Sequence, residues 1–165
     1  MCIIFLLKKL ISKIINYLKW LFCNCDNGGS GSGSHTNKYK KLKLIRKLND
    51  NIIGKGFHRS GWFSVMKYLS IFDSEDGILF DDFIEQNFCY NSNPKIYNEP
   101  WVGIFHHPPL PPFFSNEKEK MHNYLNTTAF RESSKNLKLA VVLTEYQKLY
   151  LKKYLTCPIL VLKHP

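Results

Sequence analysis

Three short apolar segments limit the folds that this chain can adopt. They are WVGIFHH at 101–107, LKLAVVLT at 137–144 and PILVLKHP at 158–165. Continuous apolar segments of this length are typical of strands that are buried on both faces of a sheet. Helix-like segments separate them, including EYQKLYLKKYL at 145–155. The alternation predicts an α/β fold, a Rossmann-like, mostly parallel sheet with helices on both faces.

The same alternation extends towards the amino end. GILFDDFIEQNF at 77–88 predicts a short strand, a group of acids and a short helix, and WFSVMKYLSIF at 62–72 has helical spacing. A glycine-rich loop, GKGFHRSG, precedes that helix at 54–61, and residues 115–135 are polar and mostly helical in pattern. We therefore assign residues 42–165 to one Rossmann-like domain, a length that suits a single hydrophobic core.

Residues 1–25 predict a basic amphipathic helix. Between residues 3 and 22 apolar side chains recur every three or four positions, and lysines occupy the other face. These lysines argue against a membrane-spanning helix and favour one that lies in the membrane interface. Cys2, Cys23 and Cys25 flank the helix, and such cysteines can be palmitoylated. The membrane hypothesis predicts a cytoplasmic protein at the membrane periphery, and the alternative is a helix packed on the protein's own core.

Charge and cysteine content separate the amino end from the rest. Residues 1–56 contain 11 Lys/Arg and 2 Asp/Glu, a net charge of +9, whereas residues 57–165 contain 12 and 11, a net charge of +1. A flexible Gly/Ser linker is predicted over 26–41. Because the charge lies mainly outside the predicted domain, we expect no nucleic-acid partner. Of the 5 cysteines, three lie near the amino end and two are scattered, which is not a disulfide framework and indicates a reducing compartment.

Polar residues follow the predicted strands at their carboxyl ends, where parallel sheets bind ligands. They are His106, His107, Thr144, Glu145 and His164. Adjacent residues of a strand point to opposite sides, so at most one of His106 and His107 faces a cleft. That imidazole would bind hydroxyls or phosphate, or act as a base, and the alternative is a histidine hydrogen-bonded into the strand end. Thr144 and Glu145 are equally explained as the start of a helix.

The glycine-rich loop carries His58, Arg59 and Ser60 directly before a predicted helix. An arginine together with backbone N–H groups at a helix start suits a phosphate or a sugar diphosphate. The alternative is a solvated capping segment in which Ser60 is the N-cap.

Acids and prolines supply two further hypotheses. Asp81, Asp82 and Glu85 follow a strand and could do acid–base chemistry or bind sugar hydroxyls, although a negatively charged helix start explains them more simply. PPLPP at 108–112 resembles a proline-rich ligand of WW domains, which gives the alternative function of a membrane-associated interaction module. No metal site is predicted, because the chain has neither HxxxH nor CxxC.

Four segments taken in order resemble the amino-terminal half of a GT-B glycosyltransferase. They are GFHRSGW, GILFDDFIEQNF, PWVGIFHHPP and LAVVLTEYQKLYLKKYLTCPILVLKHP. The last is similar to the final βαβ unit that precedes the second domain of such enzymes. The resemblance covers roughly residues 54–165.

The resemblance implies transfer of a sugar from a nucleotide sugar to a hydroxyl of a glycan or another acceptor. It implies that the nucleotide sugar binds mainly to a second Rossmann-like domain, so this half binds no cofactor of its own. The catalytic group would be His106 or His107. The substrate-binding residues would be His58, Arg59, Ser60, Asp82, Thr144, Glu145 and His164. Because the sequence stops where the second domain would begin, we expect a truncated enzyme that a second GT-B domain or chain completes.

Overall fold

The structure is a computed structural model that describes residues 42–45, 69–110 and 116–162, with Ser12, Lys13 and Asn16, but not the side chain of Lys118. Ser12, Lys13 and Asn16 are helical and exposed. The linker, the glycine-rich loop and most of the predicted leader lie outside the described residues. The membrane-surface helix therefore stays a prediction. Within the described part of the chain, no helix is long and apolar enough to cross a membrane.

Five strands form one sheet in sequential order. They are β1 (Leu42–Leu44), β2 (Ile78–Asp81), β3 (Trp101–Phe105), β4 (Leu137–Val142) and β5 (Ile159–Val161). The strands β2 to β5 pair with their neighbours in parallel. The predicted Rossmann-like α/β fold with a parallel sheet is therefore confirmed, and the three apolar segments of the sequence are adjacent strands. In this sequential order the carboxyl ends of β2, β3 and β4 lie side by side.

Short helices connect the strands. They are α1 (Ile84–Phe88), α2 (Met121–Leu125), α3 (Thr128–Ser134) and α4 (Glu145–Leu151), with 3₁₀ turns at Ser70–Phe72 and Glu117–Glu119. The helix α1 connects β2 to β3, α2 and α3 connect β3 to β4, and α4 connects β4 to β5. Helices are expected in these three connections, and the structure has a helix in each; the one predicted over 145–155 ends at Leu151.

The chain divides into two compact units, Met1–Ile78 with Pro165 and Leu79–His164. In the described part of the first unit, Leu42 and Leu44 are buried. The N–H of Leu44 donates to Asp73 Oδ1 at 3.0 Å, and the N–H of Ser74 donates to the Leu42 carbonyl at 2.8 Å. A Cβ at Gly77 would lie 2.3 Å from the Leu42 carbonyl carbon, so only glycine allows this close approach. The predicted domain boundaries at residues 25 and 41 lie outside the described residues.

The core of the second unit is built around β3, in which all five residues are buried. On one face, Phe105 meets the ring of Phe130 edge-on at a centroid distance of 6.2 Å. A Cβ at Gly103 would lie 2.5 Å from the Trp101 ring and 2.7 Å from Ile84 Cγ2. The glycine therefore lets α1 lie directly against the centre of β3, and this contact brings the polar residues of α1 to the end of the strand.

Candidate active site at the carboxyl ends of β2 and β3

A fully buried carboxyl group lies at the centre of the site. Glu85, in the first turn of α1, is 0% exposed. Its Oε1 accepts hydrogen bonds from the backbone N–H groups of His106 and His107, each at 2.8 Å. The hydroxyl of Tyr124 donates to the same oxygen at 3.5 Å. Oε2 has no hydrogen-bond partner among the described residues. One carboxyl oxygen thus connects α1, the exit of β3 and α2.

Burial raises the pKa of the Glu85 carboxyl to about 7. The N–H groups of His107 and His106 oppose this rise because they stabilise the carboxylate, whereas the charge of Asp81 adds to it. The carboxyl therefore changes its protonation state close to physiological pH, which is the range in which an acid–base group is useful.

His106 is held against the end of β2. Its ring Nε2 lies 2.8 Å from the carbonyl oxygen of Asp82. Because a carbonyl oxygen can only accept, Nε2 carries the proton and donates. The ring of Phe83 meets the imidazole edge-on at a centroid distance of 5.0 Å. These contacts fit the alternative considered from the sequence, a histidine hydrogen-bonded into the strand end.

His107 is half-buried and its ring lies between two partners. Nδ1 is 3.4 Å from the Glu119 carbonyl oxygen, and Nε2 is 2.9 Å from the Tyr90 hydroxyl. A proton on Nδ1 satisfies the carbonyl and leaves the Nε2 lone pair to accept from the Tyr90 O–H. Burial lowers the pKa of the His107 imidazole, against the raising effect of Glu119. The imidazole is therefore neutral near pH 7, with its basic nitrogen directed at a tyrosine that is 47% exposed.

The two adjacent histidines thus have different surroundings. The strand ends at Phe105, so neither histidine belongs to β3 itself. The ring of His106 lies against Asp82 and that of His107 against Tyr90. Of the two, His107 is the one whose basic nitrogen meets an exposed group, and it is the stronger candidate for chemistry.

The acids at the carboxyl end of β2, Asp81 as its last residue and Asp82 directly after it, are buried in the protein. Asp81 and Asp82 are 0% and 1% exposed. Oδ2 of Asp81 accepts from the Tyr97 hydroxyl at 2.8 Å, and its Oδ1 accepts from the N–H of Phe83 at 3.1 Å. Asp82, predicted to bind substrate, contributes its carbonyl oxygen to the site through His106.

Thr144 and Glu145 lie at the start of α4, shortly after the end of β4. Thr144 is the N-cap, and its Oγ1 accepts from the N–H of Gln147 at 3.1 Å. Glu145 is exposed and forms an ion pair with Lys148 at 3.6 Å. Both residues therefore have the structural roles that were the alternative to substrate binding. His58, Arg59, Ser60 and His164 lie outside the described residues.

Gln147 connects the start of α4 to the histidine segment. It is 3% exposed, and its Oε1 accepts from the N–H of Thr144 at 3.0 Å. Its Nε2 donates to the carbonyl oxygens of His107 at 2.9 Å and Phe105 at 3.3 Å. Together with Glu85, Gln147 fixes the backbone of His107 from both sides, by its N–H and by its carbonyl.

The proline-rich loop begins on this fixed backbone. Pro108 is exposed, Pro109 is buried, and Leu110 is 66% exposed. Pro111 and Pro112 lie outside the described residues. The described half of the loop thus presents one large apolar side chain to solvent.

Four residues of this site were missed or misjudged from the sequence. In the sequence, Glu85 has the simpler explanation of a charge at a helix start, and no pattern around the histidines points to Tyr90, Tyr124 or Gln147. Only Gln147 had a local signal, because Thr-x-x-Gln at 144–147 is the capping-box pattern. The others are joined to the histidines by contacts between residues far apart in the chain.

No protein-family model, no curated protein and no solved structure matches this chain. Among the described residues, no group of three or more His, Cys, Asp or Glu side chains could hold a metal ion. Functional inference therefore depends on the geometry around Glu85 and His107.

Proposed function

We propose that this chain is the acceptor-side half of a glycosyltransferase-like enzyme, in which His107 is the base that activates an acceptor hydroxyl. The single observation that carries the proposal is the pair formed by His107 Nε2 and the exposed Tyr90 hydroxyl, 2.9 Å apart, at the carboxyl end of a parallel strand. Parallel sheets bind their ligands at this edge, and neutral imidazole is an effective base near pH 7.

The proposed reaction is the displacement of a nucleoside diphosphate from a nucleotide sugar. The acceptor oxygen forms a bond to the anomeric carbon while the bond from that carbon to the diphosphate breaks, and the leaving group keeps the electron pair. The acceptor proton passes to the Tyr90 oxygen as the Tyr90 proton passes to His107 Nε2. The lowered pKa of His107 supports this role, because the basic lone pair is available at neutral pH.

The proposal divides the substrates between two domains. The nucleotide sugar would bind mainly to a second Rossmann-like domain, as the resemblance to GT-B enzymes implies. The acceptor, a glycan or another hydroxyl compound, would bind beside Tyr90 and His107. The backbone hydrogen bonds from Glu85 and Gln147 support this, because they keep the histidine in position.

The test is acceptor binding by the full chain, which does not require the second domain. Oligosaccharides on a glycan array are titrated against the wild type, His107→Gln and the control His122→Gln, which changes another half-buried histidine. We expect binding to be lost in His107→Gln and kept in His122→Gln. Nucleotide sugars are then added and release of nucleoside diphosphate is measured. Absence of both glycan binding and diphosphate release in the wild type would contradict the proposal.

The exposed Leu110 favours a second candidate, an interaction module that uses the loop at 108–112. A WW domain titrated against the full chain would bind the wild type and fail to bind Leu110→Ser, whose melting temperature should be unchanged because the side chain is 66% exposed. If the two proteins bind a WW domain equally, this candidate is rejected.

A further inference from the structure

The outer face of α4 is apolar and aromatic although it is exposed. Tyr146 and Leu149 are 56% and 61% exposed, and Tyr154, in the turn after the helix, is 43% exposed. Tyr150 stacks on Tyr154 with a centroid distance of 5.3 Å and an interplanar angle of 30°. The inner face of α4 is already used, because Gln147 and Leu151 are buried. The helix therefore buries one side against its own unit and leaves an apolar side exposed.

Lysines surround the outer face. Lys152 and Lys153 are exposed and form no ion pair with the carboxylates of the described residues. Lys148 pairs with Glu145, the single acid between residues 145 and 154. This stretch thus combines exposed tyrosine and leucine side chains with a net charge of +2.

We propose that the outer face of α4, formed by Tyr146, Leu149, Lys152, Lys153 and Tyr154, docks on an anionic phospholipid surface. Tyrosine prefers the boundary between headgroups and acyl chains, where its ring is in an apolar environment and its hydroxyl is hydrated. Lysines beside it are attracted to anionic headgroups. Leu149, at the centre of the face, favours lipid over nucleic acid, because a nucleic-acid backbone offers no apolar partner for it.

The predicted leader supplies an independent reason for a lipid partner. A basic amphipathic helix over residues 1–25 is expected to lie in a membrane interface. Binding of such a helix strengthens with the apolar area that is buried and with the attraction to anionic lipids. The outer face of α4 adds both kinds of contact to those of the leader, and its role does not depend on the proposed transferase activity.

The test is co-sedimentation of the full chain with vesicles of phosphatidylcholine, with and without phosphatidylserine. The variant Leu149→Ser/Lys152→Glu removes one apolar side chain from the face and replaces one positive charge with a negative one. The matched control, Lys95→Glu/Ile96→Ser, makes the same two kinds of change at another exposed site, where Ile96 is 44% exposed. Both variants keep the leader, so any difference between them belongs to α4.

We expect the α4 variant to bind vesicles with phosphatidylserine about tenfold more weakly than the wild type, and the control to bind within about twofold of it. If the α4 variant melts at a lower temperature than the control, Lys152→Gln/Lys153→Gln replaces it, because both side chains are exposed and the change is confined to charge. Equal binding by the α4 variant and the control overturns the proposal, as does equal binding of the wild type to the two kinds of vesicle.

Discussion

Glu85 lies where its neighbours in sequence favour an exposed carboxylate. It follows Asp81 and Asp82 at the start of a helix, a position that stabilises negative charge. The structure instead buries the side chain completely, and two N–H groups from a different part of the chain bind one of its oxygens. The carboxyl therefore connects the strand end to α1, and its protonation influences the stability of the fold.

The raised pKa of Glu85 predicts that stability falls as pH rises from about 4.5 to about 7. In this range the folded carboxyl keeps its proton while the unfolded one has lost it, so the folded state binds more protons and deprotonation favours unfolding. The loss of folding stability is complete above about pH 7 and amounts to about 3 kcal/mol. We expect Glu85→Gln to remove this contribution, and urea unfolding at pH 5 and pH 8 measures it.

The control for this experiment is Glu132→Gln, which changes an exposed carboxylate on α3. It should leave the difference in unfolding free energy between pH 5 and pH 8 as it is in the wild type. If Glu85→Gln also leaves that difference unchanged, the buried carboxyl does not titrate in this range.

The pair formed by Tyr90 and His107 gives a second prediction. The Tyr90 O–H donates to the neutral imidazole and stabilises it, so Tyr90→Phe should raise the pKa of His107 towards its ordinary value. The measurement is an NMR pH titration of the ring, with Tyr154→Phe as a control that removes an exposed hydroxyl from α4's neighbouring turn. A pKa that is unchanged, or lower, in Tyr90→Phe would mean that the tyrosine hydroxyl is not a donor to this nitrogen.

The helix α4 is the element whose start was best encoded in sequence. Thr144 and Gln147 form a capping box. The pattern Thr-x-x-Gln, in which the two residues are three positions apart, predicts this arrangement from the sequence alone. The same glutamine also binds the carbonyls of Phe105 and His107, about forty residues earlier. That second role had no local signal, because it depends on β3 and β4 becoming neighbours.

We expect Thr144→Ala to lower the free energy of unfolding by about 1 kcal/mol, because the N–H of Gln147 loses its acceptor. Thr144→Ser keeps the hydroxyl, and because serine is at least as good an N-cap as threonine, its free energy of unfolding should stay close to that of the wild type. Chemical denaturation of the three proteins measures both differences. Should alanine and serine variants be equally stable, the hydroxyl does not cap the helix, and its predicted contact with substrate becomes the better explanation.

Across the molecule, the kinds of elements were predictable and their connections through space were not. The segments at 101–107, 137–144 and 158–165 each contain a short run of apolar residues, and such runs indicate buried parallel strands. Their sequential order in the sheet depends on which side each crossover packs, and no single segment encodes that choice. The site has the same limit, because Glu85 meets Tyr124 across 39 positions of sequence.

The order of the strands also predicts how stability is distributed over the sheet. Val142 of β4 is 0% exposed, whereas Val161, directly opposite on the terminal strand β5, is half-buried. The same change, valine to alanine, should therefore lower the free energy of unfolding by about 2 kcal/mol at Val142 and by less than about 1 kcal/mol at Val161. Urea unfolding of the two variants measures the losses, and an unchanged dependence on urea concentration in both confirms that they report on the folded state. Equal losses would mean that β5 is packed as tightly as the centre of the sheet.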